Sequence, residues 1–237
     1  MSAKPSTESR PDFTQLRALP RERWPRREQI LCEAASLFAQ RGYHGTSTRD
    51  IAEALGIRQP SLYNHYPSKL AILQDLCAYD IGVPEERVRW LAGAEASASA
   101  RLYAAVSLDV EYCLEAPIDM RGLPDDLIRE PGLESWYRRL RAWYGTVRAL
   151  VREGVEEGEL APIDPEFARQ AIWGVEWEVI RVSHGGRRRR AGTRPDDTAT
   201  FLLRGLLADP GRVGEVRQAA AEVIAAYRRY VSPPGPA

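Results

Sequence analysis

The chain has 237 residues, and its 33 Lys and Arg residues balance its 33 Asp and Glu residues, so the formal net charge is zero. This length is sufficient to bury a core without metal or disulfide support, and the widely spaced Cys32, Cys77 and Cys113 predict reduced thiols. No run of about 18 apolar residues is present and no apolar segment follows the charged N-terminus. From the sequence we therefore expect no membrane partner, and we predict a cytoplasmic protein.

The charge is distributed unevenly along the chain. Residues 1–70 carry eleven Lys or Arg against seven Asp or Glu, which leaves +4 in this part and −4 in the remainder. A basic first third on an acidic remainder favours a protein with a nucleic-acid-facing end.

The N-terminal part predicts an arm followed by a helix. Residues 1–24 mix Pro, Ser and charge without a period, which predicts a flexible arm. From Arg26 an apolar stripe with helical spacing runs until Gly42, where a glycine is placed to end the helix. The stripe consists of Ile30, Leu31, Ala34, Ala35 and Phe38.

Two short helices are predicted next, separated by a tight turn. Thr46 or Ser47 can cap the first of them, and Gly56 ends it. The second begins near Arg58 with Pro60 in its first turn, where the missing N–H group is not needed.

The rest of the chain predicts helices alone, because no stretch alternates with period two long enough to form a sheet. They are expected at about 68–91, 97–116, from Pro124, 132–157, 165–184, 195–208 and 214–231. The prediction is therefore an all-α protein, with a first domain at 25–85 and a second domain at 86–237.

The segment 56–69 contains a hydroxyl, two phenols, an imidazole and an ammonium group, so a catalytic site must be considered. Lys69 follows Tyr66 by three residues and Tyr63 by six, so neither pair has the Tyr-x-x-x-Lys spacing of some dehydrogenases. There is no strand followed by GxGxxG, no GxSxG motif and no metal-ligand spacing. We therefore predict no catalytic residue, no metal ligand, no cofactor and no enzymatic activity.

The same segment fits a helix-turn-helix. Ala52 is a small residue where two helices touch, Gly56 makes the turn, and Ile57 and Leu62 anchor the second helix. Lys69 and the free N–H groups of the next helix would favour a phosphate. The side chains left facing outward suit a major groove, and they are Gln59, Pro60, Ser61, Tyr63, Asn64 and His65.

Residues 27–77 resemble the DNA-binding domain of the tetracycline-repressor (TetR) family. The shared residues are Ile30-Leu31, Ala34-Ala35, Leu37-Phe38, Gly42-Tyr43, Thr48, Ile51-Ala52, Leu55-Gly56, Leu62-Tyr63 and Ser68-Lys69.

This resemblance implies roles for individual residues. Thr48 would contact a phosphate, Lys69 would hold the DNA backbone, and Arg49 and Gln59 would read base edges. The residues placed in the groove are Pro60, Ser61 and Tyr63, and His65 matches the family. Asn64 departs from the aromatic residue that the tetracycline repressor carries at this position, so readout of that base step is open.

The resemblance also implies a helical sensor domain and a dimer formed by a four-helix bundle, with about nine or ten helices in all. The sequence supports the dimer, because the helix at 165–184 has two apolar stripes and no fully polar face. One stripe consists of Phe167, Ala171, Val175, Val179 and Val182, and the second consists of Trp173, Trp177, Ile180 and His184. The dimer residues are predicted to be Phe167, Ala171, Val175 and Val179, with Phe201, Leu202, Gly205 and Leu206 on the following helix.

Candidate effector-binding residues are the aromatic and polar side chains of three helices in the second domain. Such a set suits a flat aromatic or hydroxylated molecule, although the same residues could pack a core and Glu176 could pair with an arginine. The candidates are Tyr103, Asp109, Tyr112, Cys113, Trp136, Trp143, Tyr144, Trp173, Glu176 and Trp177. The arginine run at 187–190 is expected in a solvated loop, with DNA or an acidic partner as the alternative.

These features together predict a ligand-responsive repressor that binds a palindromic operator as a homodimer and is released by a small aromatic effector. Its two reading helices would lie about 34 Å apart or a multiple of that distance. An effector would act by shifting the helix at 68–91, and a coupling of about 1–3 kcal/mol would suffice. An activator or architectural protein with the same DNA-binding domain, and an enzyme or carrier that shares the fold, remain as alternatives.

Overall fold

The computed structural model describes residues 16, 19–116, 118, 130–184 and 194–231, with the backbone alone at 80–85 and 183–184. Nine α-helices lie in this part of the chain: α1 (Arg26–Arg41), α2 (Thr48–Ala54), α3 (Gln59–Tyr63), α4 (Lys69–Ala92), α5 (Ala98–Glu115), α6 (Glu134–Glu156), α7 (Pro165–His184), α8 (Pro195–Leu206) and α9 (Val213–Val231). The described residues contain no β-strand, only an isolated antiparallel bridge between Leu160 and Leu207. The all-α prediction is confirmed, and the helix predicted from Pro124 lies outside the described residues.

The chain divides into two compact units. The first contains Met1–Asp75 and Glu115–Leu123, and the second contains Leu76–Leu114 and Pro124–Ala237. The division falls after Asp75, inside α4, whereas the predicted domain boundary lies after residue 85. Helix α4 thus begins in the first unit and continues into the second. Among the described residues, no helix is both long enough and apolar enough to cross a bilayer.

In the first unit, α1 buries the predicted apolar stripe and ends where predicted. Gly42 has a φ of 76°, and its N–H group donates to the Phe38 carbonyl at 2.9 Å. A residue with a Cβ would be strained at this φ, so glycine is the appropriate terminator.

Residues 19–24 are ordered by contacts to α1, which differs from the predicted arm. The indole of Trp24 is buried in a cluster with Leu16 and Cys32, and its Nε1–H group donates to the Leu19 carbonyl at 3.0 Å. The Gln29 side-chain amide donates to the Trp24 carbonyl at 2.6 Å. Burial of one large aromatic side chain fixes this segment, which a composition of Pro and charged residues does not indicate.

In the second unit, α6 packs on α7, α7 on α8, and α8 on α9. The buried stripe of α7 consists of Ala168, Ile172, Glu176 and Ile180, with a spacing of four residues. Of the predicted second apolar stripe, Ile180 is buried and the two tryptophans, Trp173 and Trp177, are half-buried, and nothing is described of the His184 side chain. A charged residue, Glu176, occupies the position expected of an apolar one.

Candidate nucleic-acid interface and sensor site

Helix α2 is held in place by a capping box. The Ser47 hydroxyl accepts a hydrogen bond from the Asp50 N–H group at 3.1 Å, and the Asp50 carboxylate accepts one from the Ser47 N–H group at 2.7 Å. The Ser47 hydroxyl also donates to the Asp50 carboxylate at 2.5 Å, and this bond, followed by the one from the Ser47 N–H group, lowers the pKa of Asp50. Of the two predicted caps, Ser47 is the one used, because the Thr46 hydroxyl is buried and donates to the Gly42 carbonyl at 2.9 Å.

The turn between α2 and α3 forms at Gly56, as predicted. Gly56 has a φ of 64°, its N–H group donates to Glu53 at 3.0 Å, and the Ile57 N–H group donates to Ala52 at 3.0 Å. This pair of bonds is the Schellman arrangement, which requires the left-handed conformation that glycine adopts without strain. Leu62 is fully buried and anchors α3.

Helix α3 presents most of the predicted reading residues to solvent. Tyr63 is 45% exposed. The other exposed members are Pro60, Ser61, Asn64 and His65, and Gln59 is half-buried. A short helix with a polar, exposed face beside a buried leucine is the arrangement that a major-groove reader needs.

Three of the predicted DNA-contacting residues form one hydrogen-bonded cluster across α2 and α3. The Gln59 side-chain amide donates to the Thr48 hydroxyl at 2.9 Å, and the Thr48 and Tyr63 hydroxyls lie 3.1 Å apart. The cluster fixes the side chains of Gln59 and Tyr63 before any DNA is bound. Thr48 itself is buried, and its hydroxyl faces these two partners.

The two predicted cationic contacts already have partners within the protein. Arg49 pairs with Glu53 at 2.8 Å on the exposed face of α2. The Lys69 ammonium donates to the carbonyls of Tyr43 and Thr46 at 2.7 and 2.8 Å, and it lies 4.2 Å from the Tyr43 ring centroid. The surface pair is weak, so Arg49 can leave it for DNA. Lys69 holds the loop between α1 and α2, and its contact with the DNA backbone stays a prediction.

Arg58 is a candidate contact that the sequence prediction missed. It is exposed at the N-cap of α3, its side chain makes no capping bond, and within the described residues it makes no ion pair. The N-cap position favours Ser, Thr, Asp or Asn, so an arginine there is the signal that could have drawn attention to it.

A groove of about 800 Å³ lies between α7 and α8, and its lining is mainly apolar but includes Asp197, Thr200 and Arg204. Phe167 is 61% exposed and Phe201 is 69% exposed in the single chain. Seven of the eight predicted dimer residues line it: Phe167, Ala171, Val175, Phe201, Leu202, Gly205 and Leu206. The eighth, Val179, is half-buried and lies outside the lining.

Two of the predicted effector-binding residues, Asp109 and Glu176, belong to a buried group of charges. Arg87 Nη1 lies 3.5 Å from Asp109 Oδ1, and the Tyr112 ring centroid is 5.4 Å from the Arg87 guanidinium carbon. Burial raises the pKa of Asp109, against the lowering effect of Arg87. Burial and then the Asp109 charge raise the pKa of Glu176 well above its usual range, against the lowering effect of Arg87. The prediction missed Arg87, a charged residue on the buried side of α4.

Four other predicted effector-binding residues form an aromatic cluster between α6 and α7. The Trp143 ring centroid lies 5.8 Å from that of Trp173 and 5.3 Å from that of Tyr144. Trp173 and Trp177 are stacked, with centroids 6.3 Å apart. The Arg169 guanidinium lies 4.1 Å from the Tyr144 ring centroid.

The remaining candidates lie apart from these two groups. The Tyr103 hydroxyl donates to the Asp196 carboxylate at 2.5 Å and lies 2.7 Å from the Thr200 hydroxyl. Burial, followed by the bond to Asp196, raises the pKa of Tyr103 to about 12. Trp136 packs on Tyr137 of its own helix, and Cys113 is half-buried. Tyr103 thus joins α5 to α8 and has a structural partner for its hydroxyl.

The first unit contains a helix-turn-helix whose turn is made by Gly56, and the described residues of the second unit form helices. This combination is typical of a DNA-binding transcriptional regulator. A family sequence profile described as "Bacterial regulatory proteins, tetR family" matches residues 30–76. Over its helix-turn-helix the chain is therefore similar to the TetR family, whose members are transcriptional regulators.

Individual proteins agree with this assignment. The HTH-type transcriptional repressor KstR2 of Rhodococcus jostii is 27% identical over 191 residues, which cover 76% of this chain and 91% of the relative. The crystal structure of Mycobacterium smegmatis AmtR superposes with a TM-score of 0.69 at 29% identity, over 86% of this chain and 96% of that one. AibR, solved in complex with isovaleryl coenzyme A and operator DNA, shares the fold at a TM-score of 0.60 and 19% identity, over 78% of this chain and 100% of that one.

Proposed function

We propose that the protein is a ligand-responsive repressor that binds a palindromic operator as a homodimer and releases it when a small aromatic effector binds. Its partners are then double-stranded DNA, the effector and a second copy of the chain, and it acts in the cytoplasm. The observation that carries the proposal is the exposed face of α3, on which Gln59 and Tyr63 are held by Thr48.

The proposed reading mode follows from the chemistry of that face. The Gln59 amide offers both a donor and an acceptor, which matches an adenine edge, and Pro60 and the Tyr63 ring offer apolar contact to a thymine methyl. Arg49 reads a second base edge after leaving Glu53, and Arg58 contacts a phosphate at the start of α3.

The proposed dimer covers the groove between α7 and α8. Two exposed phenylalanines on an apolar surface favour burial against a partner, because solvent exposure of such a patch is costly. A symmetric dimer matches the patch with its own copy and gives the operator its palindromic form.

The proposed effector response is supported by the second unit. Buried charges around Arg87 and the aromatic cluster of Trp143, Trp173 and Trp177 provide polar and flat apolar groups, as ligand sites do. AibR, which shares the fold, was solved with both isovaleryl coenzyme A and operator DNA.

The test is binding of the purified protein to fluorescein-labelled fragments of the DNA upstream of its own gene, followed by anisotropy at several salt concentrations. We expect one fragment to bind specifically, with an affinity that falls linearly on a log–log plot against salt. Binding without fragment preference would argue for an architectural protein, and no binding would refute the proposal. In a reporter strain lacking the gene, target expression should rise, whereas a fall would indicate an activator.

A further inference from the structure

Two side chains in the interior of the second unit carry polar atoms without hydrogen bonds. Arg87 on α4 and Glu176 on α7 are only 4% and 2% exposed, and Asp109 on α5 is 7% exposed. Within the described part of the chain, Arg87 Nε and Nη1 and Glu176 Oε2 have no hydrogen-bond partner. Buried polar atoms are nearly always paired in folded proteins, so unpaired atoms of opposite type in one group of charges call for an explanation.

The unpaired atoms constrain what could satisfy them. Arg87 offers N–H donors and needs an acceptor, whereas Glu176 offers a carboxyl oxygen and needs a donor. A protonated Glu176, which its raised pKa favours, still offers a carbonyl oxygen to an N–H group. A single group that satisfied both side chains would present an acceptor to Arg87 and a donor to Glu176.

Charge separates the possible ligand classes. A cation has no acceptor for Arg87 and leaves its donors unpaired. An anion would lie beside the Asp109 carboxylate, whose Oδ1 is 3.5 Å from Arg87 Nη1, and burial amplifies the repulsion between two negative groups. A neutral group with a carbonyl oxygen beside an N–H group satisfies both side chains and adds no charge.

We infer that Arg87 and Glu176 together recognise a neutral effector that carries an amide-type group, as in a carboxamide, lactam or imide. Arg87 donates to its carbonyl oxygen and Glu176 accepts from its N–H group. The ring centroids of Tyr112 and Tyr227 lie 5.4 and 6.0 Å from the Arg87 guanidinium carbon, so cation–π contacts help to fix the position of the guanidinium group. This assignment rests on the proposed function and specifies the chemistry of its effector.

The test uses the full chain and four small probes that differ in charge. Benzamide and 2-piperidone are neutral amides, benzylamine is a cation, and benzoate is an anion. Each is titrated to millimolar concentration while the melting temperature and the anisotropy of bound operator DNA are followed. We expect a neutral amide to raise the melting temperature and weaken DNA binding by about fivefold or more, with no such effect from the charged probes.

Substitutions of Glu176 test whether the probes act at the buried group of Arg87 and Glu176. Glu176→Met keeps the side-chain length but removes the acceptor, and it should weaken the response by about tenfold or more. It should leave the melting temperature unchanged or raise it, because a desolvated carboxyl is replaced by an apolar group. Glu176→Gln keeps a carbonyl acceptor and should retain the response. The matched control is Glu178→Met, on the exposed face of the same helix, where Glu178 pairs with Arg181.

The outcomes separate the two levels of the proposal. If the protein shows no specific DNA binding when no probe is present, that result counts against the proposed function. With DNA binding intact, the assignment is overturned if benzylamine or benzoate acts instead, if neither amide acts, or if Glu176→Met responds like Glu178→Met.

Discussion

The groove between α7 and α8 provides a quantitative prediction about dimerisation. Phe201 and Phe167 are the most exposed phenylalanines on its surface, at 69% and 61% in the single chain. We expect Phe201→Ala to weaken the dimer strongly while leaving the protomer folded, because a side chain that is exposed in the protomer contributes little to the protomer core.

The magnitude follows from the exposed area. Burial of a whole Phe side chain contributes about 1.5–3 kcal/mol, so burial of the exposed two thirds of Phe201 contributes about 1–2 kcal/mol. A symmetric interface contains the residue twice, so the substitution costs about 2–4 kcal/mol per dimer. The dimer dissociation constant should therefore rise about 30- to 700-fold.

Sedimentation velocity over a range of protein concentrations measures this constant. The matched control is Tyr230→Ala, because Tyr230 is also an exposed aromatic residue but lies on α9 beside Trp90. If Phe201→Ala dimerises normally and Tyr230→Ala does not, the groove is not the interface. A wild-type protein that is monomeric at micromolar concentration would refute the dimer altogether.

Five further substitutions test the DNA-binding unit. Gln59→Ala should relax base preference at one operator position and weaken operator binding by about 1–3 kcal/mol. Tyr63→Phe should weaken operator binding by a smaller amount. Both are measured by anisotropy on a set of operators that differ by single bases. Gly56→Ala should lower the stability to urea by about 1–2 kcal/mol, because alanine is strained at the φ of 64°. The pKa of Asp50 is lowered in the folded state, so the stability that its carboxylate adds by capping α2 is complete above about pH 4 and is lost as the pH falls further. The difference in melting temperature between wild type and Asp50→Asn should therefore shrink in acid. Lys69→Met should lower the melting temperature and leave the salt dependence of operator binding unchanged, whereas loss of a phosphate contact would reduce that slope by about 0.9.

The sequence predicted the helices well but did not indicate which side chains fill the interior of the second unit, for physical reasons. Helix ends follow local signals, such as Ser47 three residues before Asp50 and a glycine at position 56, so the DNA-binding unit could be read directly. The buried stripe of α7 depends on which side of the helix meets α6 and α8. Trp173 and Trp177 are half-buried, whereas the stripe with a spacing of four residues that is buried in the single chain includes Glu176.

Contacts between residues far apart in the sequence could not be predicted from the residues around them. Arg87 and Asp109 belong to different helices, and nothing in the sequence near either residue indicates that they meet. The same holds for Lys69, whose ammonium bonds two carbonyls of the loop before α2. Family resemblance supplied a DNA contact for that lysine, whereas the contacts within the chain make it a support of the reading helices.

The polar cluster of the DNA-binding unit provides a physical basis for operator choice in the proposed reading mode. In the free protein Gln59 donates to Thr48, and Arg49 pairs with Glu53, so DNA must replace these bonds when the reading side chains turn towards it. A correct base edge replaces them and leaves the number of hydrogen bonds unchanged. A wrong base pair leaves Gln59 or its former partner unpaired in a dehydrated interface, which costs about 1–3 kcal/mol. Discrimination therefore arises from the penalty at the wrong site as much as from the contact at the right one.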